Sequence, residues 1–239
     1  MARKYELETI PIWDAIDAGT ECPLCLLDEQ AEERYVQFFL GNSVMIPEMR
    51  VEVNKTGFCR PHFKALWKGA ANRHPLSLIT HTHLKDLMEH GNRYEKRAMK
   101  KRGEGVADYI EYLRQRDSSC MICDRMDYTR KRYAFTIVHL WGHKEEFRQA
   151  ISTSRGFCYF HLSSVLEMAK EQLSRSKIEA LASALVGLQR KEMERIEEEL
   201  LWYTQKFDFQ NDTKPWGTSK DALHRALQKL TGLIYRDRS

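Results

Sequence analysis

Apolar residues recur along this chain with the three-to-four-residue step of α-helices almost from end to end. Only Met49-Arg50-Val51-Glu52-Val53 alternates as a short strand would, so the pattern predicts a mostly α protein. Pro23 suits the first position of a helix that runs through Tyr35, Phe38 and Phe39 to Gly41. A second helix is expected to start after Ser119, to pass Tyr133 and to continue toward Trp141. Pro75 to about Lys101 reads as helix, and Lys101-Arg102-Gly103-Glu104-Gly105 as a linker. Toward the C-terminus Ile178, Leu181, Leu185, Leu188, Met193, Ile196, Leu200, Tyr203 and Phe207 form one long amphipathic line. The five-residue step from Leu188 to Met193 breaks a strict heptad, which favours packing on the chain's own core over a coiled coil. Asn211 to Thr218 is a loop, after which Ser219 is expected to cap a last helix with Leu223, Leu227 and Leu230 facing inward and Gly232 ending it.

Superimposed on this periodicity is a repeat that uses every cysteine. Cys22-Pro-Leu-Cys25 is followed by Gly57-Phe-Cys59-Arg-Pro-His62, and Cys120-Met-Ile-Cys123 by Gly156-Phe-Cys158-Tyr-Phe-His161. The first cysteine precedes that of the GFCxxH by 37 residues in one copy and 38 in the other. Tyr35 and Tyr133, each ten residues beyond a CxxC and each after an arginine, extend the match. The organisation expected is a first helical metal-binding repeat over residues 1–102, a second over 106–175, and a long helix, loop and final helix over 176–239.

A CxxC with a distant CxxH supplies three thiolates and an imidazole, the donor set of closed tetrahedral zinc sites. The metal ligands are therefore Cys22, Cys25, Cys59, His62, Cys120, Cys123, Cys158 and His161, making two Cys3His centres that clamp the two helical units. Spacing alone does not fix whether ligand pairs close within a repeat or between repeats. Gly57 and Gly156 permit a sharp entry before each CxxH, whose two ligands lie one turn apart at a helix start. There the positive end of the dipole favours thiolate. Two zinc ions are the cofactor expected, with an iron–sulfur cluster as the alternative.

At 239 residues and 42% hydrophobic, the chain can build a core without relying on metal alone. No apolar run is long enough to cross a bilayer and no signal-like segment opens the chain, so a soluble cytoplasmic protein with reduced thiols is expected. The +4 net charge is concentrated between Arg93 and Arg132, where twelve Lys/Arg face seven Asp/Glu. That stretch can attract a phosphate backbone or an acidic partner, although cations also complement a helix C-terminus while staying solvated.

Other candidates carry weaker chemistry. His81 and His83 point about 200° apart on a helix and cannot easily share one ion, so partly buried histidines with hydrogen-bond partners are expected there. His139 and His143 are one turn apart without an evident third ligand. The copies differ most at Gly41–Asn54, where Arg50, Glu52 and Asn54 would share a face of the expected strand and line a binding surface. The second copy has His143 to Ile151 there, which reads as continued helix.

Cys22-Pro-Leu-Cys25, Phe38-Phe-Leu-Gly41, Ser43-Val-Met45, Pro47, the stretch from Arg50 to His62, and Thr80-His-Thr-His-Leu84 resemble a bacterial family built on a domain of unknown function. Lys206-Phe-Asp208 and Trp216 extend the likeness over most of the chain, while Glu48-Met49 departs from it. The resemblance implies a bacterial cytosolic origin and a paired-metal fold, and brings no catalytic residue. Two functions fit these readings. One is a non-catalytic zinc-binding helical module for a protein or nucleic-acid partner. The other is a thiolate-based or iron–sulfur redox protein or enzyme using the 41–54 loop with His81 or His83.

Overall fold

The computed structural model describes residues 9–100 and 103–232, and among these it contains eleven α-helices and no strand. After α1 (Ile10–Asp17) come two runs of four helices in the same order. The first is α2 (Pro23–Leu40), α3 (Pro47–Thr56), α4 (Arg60–Gly69) and α5 (His74–Ala98). The second, following α6 (Val106–Ser118), is α7 (Met121–His143), α8 (Glu145–Thr153), α9 (Tyr159–Gln172) and α10 (Arg175–Gln205). A final helix, α11 (Ala222–Thr231), ends at Gly232 with φ of 74°. Of the expected linker, Lys101 and Arg102 lie outside the described residues. Among the described residues no helix is long and apolar enough to cross a membrane.

The expected strand is helix α3. Pro47 at its first position, Glu48 in the first turn and Lys55 in the last are all helix-end signals, and Met49 and Val53 bury together at a four-residue step. The alternation of Met49, Val51 and Val53 was coincidental, since Val51 is exposed. In the second copy the expected continuous helix is broken. Lys144 is extended (φ −123°, ψ 112°), and α8 starts behind it with two glutamates in its first turn. Both copies thus place a short helix before the GFC, and are more alike than their sequences are.

The helices form two compact units. One comprises the described residues of Met1–Gln30 with those of Thr129–Ser239, and the other those of Ala31–Tyr128. In the first, Ile12, Trp13, Ile137, Phe147, Leu181 and Leu185 share a core in which Trp13 meets Phe147 edge-on at 5.1 Å. In the second, Phe39, Phe58, Leu66, Ile79 and Ile122 do so. These units do not coincide with the division at 102, 106 and 175 drawn from the repeat, because the chain changes unit inside α2 and again inside α7.

At the C-terminal end the helices are where the periodicity puts them, but the faces differ. The buried line of α10 passes from Leu181, Leu185 and Leu188 to Gln189 and Glu192 before Ile196, and Phe207 is exposed. On α11 the buried residues are Ala222, Ala226 and Lys229, while Leu223 and Leu230 are exposed. Ser219 closes a 3-10 turn by donating to the Trp216 carbonyl, and α11 begins after Asp221. The small alanines admit a close approach, and the lysine finds buried acceptors that a leucine could not use.

Candidate metal centres

Each cysteine pair sits at the beginning of a helix. Cys59 and Cys158 are the N-caps of α4 and α9 with nearly equal dihedrals, φ −71° and ψ 166° against φ −72° and ψ 164°. Cys158 Sγ accepts from the His161 N–H at 3.4 Å, and Cys120 Sγ from the Cys123 N–H at 3.5 Å. The turn into each CxxH needs glycine. Gly57 and Gly156 have φ of 66° and 72°, and a Cβ on Gly57 would lie 2.5 Å from His83 Nε2.

The eight ligands gather as two quartets, and each quartet joins the CxxC of one repeat to the CxxH of the other. In the first unit Cys22, Cys25, Cys158 and His161 bring their donor atoms within 4.8 Å of one another, and in the second Cys59, His62, Cys120 and Cys123 do the same. Of the two pairings that spacing left open, the donors thus gather in the crossed one. Helix length accounts for it: α2 carries the chain about 27 Å from its cysteine pair, and α3 travels only about 15 Å. The compact 3-10 turn Asn42–Met45 between them adds little, so Cys59 does not return to Cys22.

The donor spacing is close to that of a single tetrahedral ion, matching it between sulfurs and running a few tenths of an ångström short from sulfur to nitrogen. Zinc with bonds of about 2.3 Å to sulfur and about 2.0–2.1 Å to nitrogen requires tetrahedron edges of about 3.8 Å between sulfurs and about 3.6 Å from sulfur to nitrogen. Cys25 and Cys158 Sγ are 3.7 Å apart, and His161 Nδ1 lies 3.4, 3.4 and 3.2 Å from Cys22, Cys25 and Cys158. In the second centre Cys59 and Cys123 Sγ are 3.8 Å apart, with His62 Nδ1 3.1, 3.2 and 3.4 Å from Cys59, Cys120 and Cys123. The residues therefore fit a metal ion in donor type, number and spacing.

Behind each imidazole stands a carboxylate. His161 Nε2 is 3.1 Å from Asp28, which also takes Arg130 Nε at 2.9 Å, and His62 Nε2 is 3.3 Å from Glu32. Such a partner fixes the ring so that Nδ1 faces the ion. Sequence reasoning missed both carboxylates; their only signal is a position on α2, one and two turns beyond Cys25.

The protonic state of each quartet shows the field an ion would meet. Burial works against charge on His161, yet Asp28 and Cys158 push its pKa up to about 11. His62, likewise opposed by burial, is pushed up to about 10 by Cys120 and Glu32. Despite burial, the His62 hydrogen bond holds Cys120 down to about 6. Hydrogen bonds from Cys22 and Cys25 hold Cys158 far below the usual thiol range. Cys25 is raised, chiefly by its bond to Cys158, and Cys123 by burial. Each site thus stabilises negative sulfur beside a cation, the role a metal ion takes over once it binds.

The two centres are covered differently. Cys22, Cys25, Cys158 and His161 are all buried, whereas Cys59 and Cys123 are half-exposed. Over the first centre Lys229, wholly buried, donates to the carbonyls of Arg155 and Phe157 on either side of Gly156. A Cβ on Gly232 would lie 3.2 Å from Cys158 Sγ. Beside this cover Arg195 binds Glu21 at 2.7 Å, Glu192 at 2.8 Å and Glu199 at 3.1 Å, a charged cluster that sequence reasoning did not find.

The remaining candidates do not assemble into a site. On α3 Arg50 and Asn54 lie one turn apart while Glu52 points away from both, so the three do not share a face. Arg50 donates to the Val44 and Met45 carbonyls, Glu52 pairs with Lys55, and Asn54 Oδ1 is buried without a partner. His81 is exposed, and His83 packs on Gly57 with its Nδ1 unpaired and its pKa lowered by burial. His139 and His143 stack at 4.5 Å, and His143 Nδ1 lies 2.8 Å from the His139 carbonyl. In the basic stretch Arg97 pairs with Asp108, Arg116 reaches the Asn54 and Lys55 carbonyls, and Arg125 lies over the rings of Phe38 and Phe39.

The chain belongs to a family of unknown function, DUF6062, whose model matches residues 3–237. Comparison with curated proteins and with solved structures gave no match.

Proposed function

We propose that this chain is a cytoplasmic zinc protein in which two structural Cys3His centres hold a helical scaffold that binds a protein partner. The observation that supports it is the placement of eight donors at the corners of two tetrahedra of about zinc size, with each imidazole backed by a carboxylate. Four protein donors leave no position for water or substrate, so the ion acts as a clamp. A histidine in each quartet favours zinc over iron–sulfur clusters, which are mostly held by four cysteines. Structural zinc contributes about 10 to 16 kcal/mol in finger peptides, comparable with the about 5 to 15 kcal/mol of a whole domain. Protein purified without oxygen is expected to be colourless and to carry two zinc ions per chain by native mass spectrometry and elemental analysis. Cys59→Ser and Cys158→Ser should each remove one ion and lower the melting temperature. A brown protein, or a wild type free of metal, would falsify the zinc reading.

The binding surface in this reading is α6. None of its residues is buried, and Val106, Ile110 and Leu113 stand 42–48% exposed at i, i+4 and i+7, one row on one face. Nearby cations are already engaged with Asp108 and with backbone carbonyls. An apolar row beside neutralised cations suits a protein better than a phosphate backbone. Ile110→Glu is expected to abolish cross-linking of α6 to its partner in cells while both ions stay bound. A low-salt gel shift with DNA or RNA that the same substitution removes would point to nucleic acid instead.

A further inference from the structure

We infer that the centre formed by Cys59, His62, Cys120 and Cys123 is an oxidation-sensitive zinc site, at which a peroxide joins Cys59 to Cys123 and releases the ion, while the other centre stays closed. The inference rests on the zinc reading above and concerns what distinguishes the two sites. Cys59 and Cys123 are the half-exposed cysteines of the six, their sulfurs lie 3.8 Å apart, and both belong to one quartet. At the other centre all four ligands are buried, and α11 covers it through Lys229 and Gly232.

Chain order shows why one site is open. After the long helix α10 comes α11, which buries Ala222, Ala226 and Lys229 and closes its centre. In the corresponding place after α5 comes α6, none of whose residues is buried and whose Asp117 meets Arg60 at an exposed ion pair. A peroxide can therefore reach sulfur at the second centre, and oxidation follows thiolate character and access together. In the reaction two thiolates give up an electron pair, the Sγ–Sγ bond forms and the peroxide O–O bond breaks. With hydrogen peroxide, two protons from solvent complete two waters. The ion is left with Cys120 and His62, a pair too weak to retain it.

Wild-type protein carrying two zinc ions would be treated with a small excess of hydrogen peroxide beside a chromogenic zinc chelator, and disulfides mapped by mass spectrometry. The first equivalent of zinc is expected to leave at least ten-fold faster than the second, with a Cys59–Cys123 cross-link forming at the same rate. Cys123→His keeps a Cys2His2 donor set that zinc accepts; it should retain two ions and lose the fast phase. Simultaneous release, earlier release from the buried centre, no release, or a disulfide between other cysteines overturns the inference and leaves the scaffold reading standing. Fewer than two ions before any peroxide is added marks failure of the scaffold reading itself.

Discussion

Asp28 shows how much of a candidate metal centre lies outside its four donors. It accepts from Arg130 and faces His161 Nε2 in a nearly enclosed position, so it fixes which ring nitrogen points at the three sulfurs. Asp28→Ala should leave the four donors in place and weaken zinc at that centre by about 10- to 100-fold, the usual effect of removing such a partner. Competition with a calibrated chelator would measure this, and unchanged affinity would show that packing alone orients the ring. The eight candidate donors were legible because cysteines are scarce here and sulfur at CxxC spacing has few other uses. Asp28 and Glu32 were not, since nothing marks them among the chain's 34 acidic residues until the imidazoles are placed.

At the scale of elements, periodicity located the helices well and misjudged what their faces touch. α3 looked like a strand because five residues are too few to separate a two-residue from a four-residue period, and its end signals Pro47 and Lys55 decide the matter. The inward face of α11 was misjudged because leucine is ordinarily the buried residue, whereas Lys229 meets carbonyls that only the fold brings there. Gly57 joins the two levels. Its backbone, at φ 66° and ψ −149°, lies where essentially only glycine is comfortable, and a Cβ added there would run into His83. Gly57→Ala should therefore cost about 1 to 3 kcal/mol from the backbone alone, with a further loss from displacing the imidazole. Adding His83→Ala should recover that second part and not the first. Denaturant melts of the two single variants and the double variant would separate them, and strict additivity would show that the contact carries no energy.

The whole molecule is organised by pairing across repeats. Each centre draws one ligand pair from the first half of the chain and one from the second, and the sulfurs of Cys25 and Cys158 that meet are 133 residues apart in sequence. The repeat itself was legible in the sequence, but the crossing was not, because either pairing satisfies the same spacing and only the reach of α2 and α7 selects between them. A chain divided between residues 100 and 103 tests the crossing directly. The N-terminal half would keep Cys22, Cys25, Cys59 and His62, and the C-terminal half Cys120, Cys123, Cys158 and His161, so either alone has a full donor set. If pairs closed within repeats, each half would bind one zinc ion and remain helical by itself. The crossed geometry predicts instead that the separate halves bind zinc poorly and lose helicity, and that co-expression yields a one-to-one complex with two ions. Zinc content and circular dichroism of the halves, apart and together, distinguish the outcomes. A half that folds around its own ion would sink the crossed pairing and with it the account of why one centre is covered and the other open.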